Sequence, residues 1–378
     1  CDAFVAAAVA AGHPHNPDFN GARQEGVGYF QTTSRGRRRC STAAGYLKPA
    51  RGRANLTIVT DALASRILVE DGRAIGVRYL QGGVEKEARA GAEVIVSGGA
   101  INSPQLLQIS GIGPGALLRE IGVEVVHELP GVGENLQDHY QSRLVHEVGD
   151  GMSFNDDVRG LFRRGLVGLD YILNGKGPLT VSAGQVGLFA KTRPEVATAD
   201  VQFHFIAYSA DNPLERTMHD YSGVTLSVCQ LRPESRGYVR ANSADPTVRP
   251  AIQPNYLHSE LDQRTMVDGL KLGRAIAGQD AYARHVKRET LPGPDMTDDA
   301  ALLQYIRETG GTIYHPTSTC AMGQDERAVV DERLRVRGLR GLRVADASIM
   351  PTVVSGNTNA PAIMIGEKAA AMILEDAR

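Results

Sequence analysis

The chain has no apolar run approaching the roughly 18 residues of a membrane-spanning helix, because its apolar residues are interleaved with glycine and charge. No transmembrane segment is expected. An excess of charge of one sign is also missing: 41 basic against 43 acidic residues leave a formal net charge of -2. That balance gives no electrostatic reason to expect nucleic acid or an acidic membrane surface as a partner. Cysteine is scarce, with Cys1, Cys40, Cys229 and Cys320 far apart and no C-x-x-C pair. The spacing argues against a disulfide framework and for reduced thiols, hence a cytoplasmic location. There is no G-x-S-x-G elbow, P-loop or H-E-x-x-H, so hydrolase, nucleoside-triphosphatase and zinc-protease chemistry have no motif to stand on. Internal repeats and low-complexity tails are absent too.

What is there is enough, at 378 residues, for two or three domains around a large core. An alanine-rich segment from Asp2 to Ala11 reads as helix, and residues 14 to 55 read as loop, with the basic cluster Arg35 to Arg39 taken as solvated. Runs at Leu56 to Thr60, Arg66 to Glu70 and Ile75 to Leu80, the last two joined by Asp71-Gly72, predict a β-meander. The strand Glu93 to Val96 then passes through Gly98-Gly99 into a helix opened by Asn102 or Ser103, with Pro104 in the first turn. Glycines there permit close backbone approach, and the free amides of a helix start suit an anionic group. Past residue 140 the composition changes to longer strands, Asp200 to Phe205 and Val224 to Val228, and to capped helices at Ser259 to Gln279 and Thr297 to Thr309. The last elements are a strand at Leu342 to Ala345 leading to Asp346, and a small-residue helix after Asn359.

Two blocks near the C-terminus carry the most chemistry: Ile313-Tyr314-His315-Pro316-Thr317-Ser318-Thr319-Cys320-Ala321-Met322-Gly323 and Ser355-Gly356-Asn357-Thr358-Asn359-Ala360-Pro361. A third is Gly99-Ala100-Ile101-Asn102-Ser103-Pro104-Gln105-Leu106-Leu107-Gln108-Ile109-Ser110-Gly111-Ile112-Gly113. Together they resemble the glucose-methanol-choline (GMC) flavin oxidoreductases, over a length running from near Cys1 to the C-terminus. His315 in its polar loop is a candidate base, and Asn357 offers an amide that can hydrogen-bond a substrate oxygen without taking its proton. His204 alternates with Phe203 and Phe205 on a strand and is a candidate for the substrate cavity. Cys320 near His315 invites a metal reading, but no third or fourth ligand has suitable spacing, so no metal is expected.

The resemblance implies FAD as cofactor and oxidation of a primary alcohol, choline-like or another CH–OH donor, to the aldehyde. His315 would take the hydroxyl proton, Asn357 would hold the substrate oxygen, and hydride would pass to flavin N5. It implies that the backbone at Thr358 and Asn359 faces the flavin ring, that Asp346 and Ala347 form a flavin-contacting turn, and that Gly98, Gly99 and Ala64 belong to the adenosine end. The implied fold is α/β plus α+β: a Rossmann-like FAD-binding domain lacking its first βαβ unit, and a substrate domain on a mainly antiparallel sheet flanked by helices. The expected bounds are a linking, substrate-side segment at 1–46, FAD-binding parts at 47–140 and 330–378, and the substrate domain at 141–329. No counterpart of the family's opening G-x-G-x-x-G unit is found, so the chain is expected to be truncated at its N-terminus and to bind FAD weakly or not at all by itself. The partners implied are a small alcohol and an electron acceptor, whether oxygen, a quinone or another carrier. Two other readings stay open: a hydroxynitrile lyase whose flavin takes no redox part, and an inactive remnant serving as an interaction module.

Overall fold

The computed structural model describes residues 1–182, 184–210 and 217–377. The backbone separates into two units, one made of Cys1–Gly52, Tyr140–Arg232 and Ser259–Ile313, the other of Arg53–His139, Pro233–His258 and Tyr314–Arg378.

The first unit is an antiparallel sheet in the order Gly26–Tyr29, Gly184–Ala190, Val201–Ile206, Gly223–Gln230, Tyr140–Val148, Val286–Leu291, with Gly311–Thr312 paired to the start of Tyr140–Val148. Its strand Gly223–Gln230 is buried at every position. The reason is a covering helix, Glu260–Ala277, capped by Ser259, whose hydroxyl accepts from the Leu261 amide. That helix lies very close to the sheet: a Cβ at Gly273 would come within 2.8 Å of Leu144 Cδ1, and one at Gly269 within 2.9 Å of Val228 Cγ2. Asp2–Ala10 adds Phe4, which stacks on Phe205 at 5.1 Å.

The second unit contains the meander Ala62–Glu70, Arg73–Gln81, Val84–Arg89 and the parallel pair Val94–Val96 with Leu342–Val344. Asp71 and Gly72 turn the first hairpin with φ of 47° and 68°, the two left-handed residues a tight two-residue turn requires. Leu56 to Thr60 is not a strand; it is exposed and unpaired, and the third strand is the charged Val84–Arg89 instead. After Val94–Val96 the helix Gly99–Ile109 begins three or four residues before the expected opening at Asn102 or Ser103 and carries Pro104 inside it. Proline cannot bond the carbonyl four residues back, that of Ala100, and the Thr319 hydroxyl donates to that oxygen at 2.7 Å in its place. A tertiary contact thus repairs the ladder.

Two segments assigned from sequence to the substrate domain, 233–258 and 314–329, pack with the second unit. Their backbone bonds explain it: Leu136 and Gly237 exchange hydrogen bonds at 2.9 Å each, and Gln137 and Thr317 do so at 3.2 and 2.9 Å. The core of this unit gathers Val94, Leu107, Val132, Val329, Val344 and Ile365.

Candidate active site

The main chain fixes His315 before its side chain does. The amides of Ser318, Cys320 and Met322 donate to the carbonyls of Ala347, Ser348 and Ile349 at 3.3, 2.9 and 2.8 Å, laying this stretch against the turn that follows Asp346. Tyr314 and Ser318 adopt φ of 65° and 75°. Such left-handed backbone costs a non-glycine residue on the order of 1 kcal/mol or more, and it persists where neighbours over-determine it. Here the neighbour is Asp138. Its Oδ1 accepts from the amides of both His315 (2.8 Å) and His139 (2.9 Å), and its Oδ2 accepts from the Tyr256 hydroxyl at 2.5 Å.

The imidazole of His315 is held at both nitrogens. Nδ1 lies 2.9 Å from Nδ1 of the fully buried His139, and Nε2 lies 3.3 Å from Nδ2 of Asn357. An amide nitrogen can only donate, so the hydrogen-bond pattern assigns the lone pair to Nε2; the proton of neutral His315 then sits on Nδ1 and points to His139. Burial, assisted by His139, pulls the pKa of His315 down to about 4 against the opposing pull of Asp138. At neutral pH the ring is uncharged and its Nε2 carries a free lone pair. That is the state a general base needs.

Asp346, at the end of Leu342–Val344, uses both carboxylate oxygens. One accepts from the Gly99 amide (3.0 Å) and the Ser103 hydroxyl (2.5 Å), the other from the Ser348 amide (2.7 Å). It therefore clamps the start of Gly99–Ile109 to the turn containing Ala347. Gly98 donates to Ser103 Oγ, while at Gly99 (φ 79°) an added Cβ would meet nothing within 4 Å, so this helix start is open. Ala64 lies where the meander slips register between Ala64 and Arg66, and Ile67 beyond it donates to Ser110 of the same helix. The helix Asn359–Asp376 has Thr358, not Asn359, at its cap position, and Thr358 makes no side-chain bond there. The cap residue thus takes none of the first amides with its side chain. The Gly99 start is already engaged by the Asp346 carboxylate and the Ser103 hydroxyl, whereas the Thr358 start, next to Asn357, has no side-chain cap and suits the ring of a flavin dinucleotide.

His204 belongs to the first unit, where it packs on Phe30 with ring centroids 5.4 Å apart. Cys320 is fully buried in the core of the second unit, and burial, with the charge of Asp346, pushes its thiol well up. The sequence reading missed Asn135 to His139, taken only as the place where composition changes. Gln137 ties Thr317 to the segment after Asp346, accepting from the Val353 amide (3.1 Å) and donating to Pro351 O (3.3 Å). The available signal was four polar side chains crowded into five residues, Asn135, Gln137, Asp138 and His139, at a supposed linker.

Two family models, both described as GMC oxidoreductase, match residues 1–141 and 233–366. An alcohol dehydrogenase [acceptor] of Pseudomonas putida is 45% identical over 98% of this chain and 67% of its own length. An oxygen-dependent choline dehydrogenase of Burkholderia ambifaria is 44% identical over 98% of this chain and 65% of its own. The chain thus spans about two thirds of the length of these curated relatives. Among solved structures, pyridoxine 4-oxidase from Mesorbium loti superposes with a TM-score of 0.86 at 28% identity, over 98% of this chain and 68% of that one. A variant of Aspergillus oryzae formate oxidase does so at 0.92 and 25%, over 99% and 70%.

Proposed function

The chain belongs to the GMC oxidoreductase family, and from that premise we propose that it carries the base and much of the cofactor cradle of an FAD-dependent enzyme oxidising a primary alcohol to the aldehyde. The observation that carries this reading is the neutral, buried His315 with the Nε2 lone pair beside the Asn357 amide. In this reading the second unit is the flavin-binding part and the first bears the substrate sheet. Ala64, Gly98 and Gly99 hold the adenosine end through main chain, Asp346 and Ala347 form the turn against the flavin, and Thr358 and Asn359 offer their amides to the ring. When bound, FAD supplies the acceptor for the hydride that leaves the carbinol carbon.

The protein's own part is proton transfer and charge stabilisation. A substrate hydroxyl placed between His315 Nε2 and Asn357 Nδ2 donates its proton to the former and accepts a hydrogen bond from the latter. As the oxygen gains negative charge, the new imidazolium and the amide both face it. His139 accepts the Nδ1–H throughout, which keeps the ring oriented, and Asp138 favours the cation that forms. Such a placed base accelerates the step by about 10²–10⁴.

The electron acceptor and the alcohol are left as classes: oxygen, a quinone or another carrier for the first, and choline or another primary alcohol for the second. No helix among the described residues is long and apolar enough to cross a membrane. A cytoplasmic location accords with four free thiols. The test is anaerobic flavin absorbance of the full reading frame, mixed with a panel of primary alcohols that includes choline. Bleaching that disappears in His315→Ala supports the reading. A bound flavin that no alcohol bleaches would move the assignment to a lyase.

A further inference from the structure

The helix Leu161–Leu173 in the first unit is built inside out. Leu161, Phe162, Leu166, Leu169, Ile172 and Leu173 are between 50% and 86% exposed, and no residue of the helix is buried. At 100° per residue these six fall within one face about 140° wide. The half-buried positions are on the other side, at Val167, Gly168, Asp170 and Tyr171. An amphipathic helix normally turns the apolar face inward; here the protein holds it by the back.

The charge around it is one-sided. Residues 34–39 and 156–176 hold eight basic side chains and three acidic ones, Asp156, Asp157 and Asp170, in a chain whose net charge is -2, and Asp156 lies 3.7 Å from Arg159. Arg37 joins the two segments, donating to the carbonyls of Tyr171 (3.4 Å) and Ile172 (3.3 Å) in the last turn of the helix. The short pairing of Ser34–Arg35 with Arg38–Arg39 keeps the remaining arginines exposed. An apolar face about 20 Å long, bordered by an excess of cations over carboxylates, is the chemistry of a helix lying in a lipid interface.

We propose that Leu161–Leu173 and the arginine turn at 34–39 form a peripheral docking surface for an anionic lipid bilayer. The apolar face enters the acyl boundary, and the arginines meet the phosphate headgroups. A protein partner would call for the apolar face alone; the flanking cations select the lipid.

The experiment is co-sedimentation of the full reading frame with phosphatidylcholine vesicles made with and without phosphatidylglycerol, at low and high salt. Two paired variants are compared, Phe162→Asp with Leu169→Asp, and Arg163→Glu with Arg164→Glu, each checked for an unchanged flavin spectrum and circular dichroism. The expected result is binding only to the anionic vesicles, weakened by salt and reduced about tenfold or more by either pair. Wild-type protein that stays in the supernatant with anionic vesicles, or binding indifferent to both pairs, overturns the proposal. So does a helix already shielded from hydroxyl-radical labelling without lipid, or a dimer that Phe162→Asp dissolves; these assign the face to another part of the chain or to a second copy.

Discussion

Each unit contains a buried histidine whose pKa is pulled down to about 4, His146 in the first and His315 in the second, and only the second has the role of base in the proposed function. Burial dominates both shifts. His146 lies on Tyr140–Val148 with Nδ1 at 3.1 Å from the Tyr282 hydroxyl and Nε2 at 4.0 Å from Glu289, which is itself gripped by Arg274 at 2.7 and 3.1 Å. Both nitrogens end on groups belonging to the sheet and its helices. His315 ends on one side at another imidazole and on the other at an exposed asparagine amide that a hydroxyl can displace. A depressed pKa marks burial alone; the proposal for His315 rests on the partner at its second nitrogen.

The sharpest way to test that contrast is by substitution. His315→Gln is expected to slow alcohol-dependent flavin reduction by about 10²–10⁴ in stopped flow, whereas His146→Gln leaves the rate constant within about twofold and lowers the melting temperature. Equal rate losses would break the comparison.

Acid should affect the two residues alike in stability. Each is neutral when folded, with a pKa of about 4 against 6.5 for the free side chain. The unfolded chain therefore takes up the proton first as pH falls. Stability is fully present above about 6.5 and is lost through the window down to about 4, by about 3 kcal/mol per histidine at the acid end. Urea unfolding at pH 7 and pH 5 should show the loss, and His146→Phe should remove its share of the slope. A flat profile would mean that neither ring is held neutral.

A smaller effect separates the neighbours of His315. His139 lowers its pKa and Asp138 raises it. His139→Ala is expected to move the acid limb of kcat/KM upward and Asp138→Asn to move it downward, each with about a tenfold loss in kcat. Shifts of the same sign would show that the pair acts only through packing. Least of all, Thr319→Val should cost about 1–2 kcal/mol by orphaning the Ala100 carbonyl, with no change in that pH profile.

Much of the second unit's site is readable from local runs. His315 and Asn357 sit in polar loops with proline and glycine beside them, and the strand, glycine turn and helix from Val94 to Ile109 announce an anion-binding start. The parts that escaped depend on distant contacts. Pro104 reads as a helix opening because nothing nearby shows that Thr319 supplies the missing donor. Val84–Arg89 is exposed at every residue and has no apolar alternation, while Leu56 to Thr60 has apolar residues but no partner strand. His139 looks like a linker residue until the chain brings it to His315. The inverted face of Leu161–Leu173 is likewise invisible in the amphipathic pattern, which is the same whichever way the helix is turned.

The bonds that make the site span long stretches of chain: 177 residues between Asp138 and His315, 216 between Gln137 and Val353, and 219 between Ala100 and Thr319. Closing loops of that size is entropically slow, and a ribosome must release nearly the whole sequence before any of them can close. The second unit's meander and helix, Ala62 to Ile109, can form early, yet they wait on the C-terminal blocks to complete the proposed site. On the proposed reading, nascent chains stalled before Met322 should be structured and chemically silent, so the imidazole gains its surroundings only after Met322 has emerged.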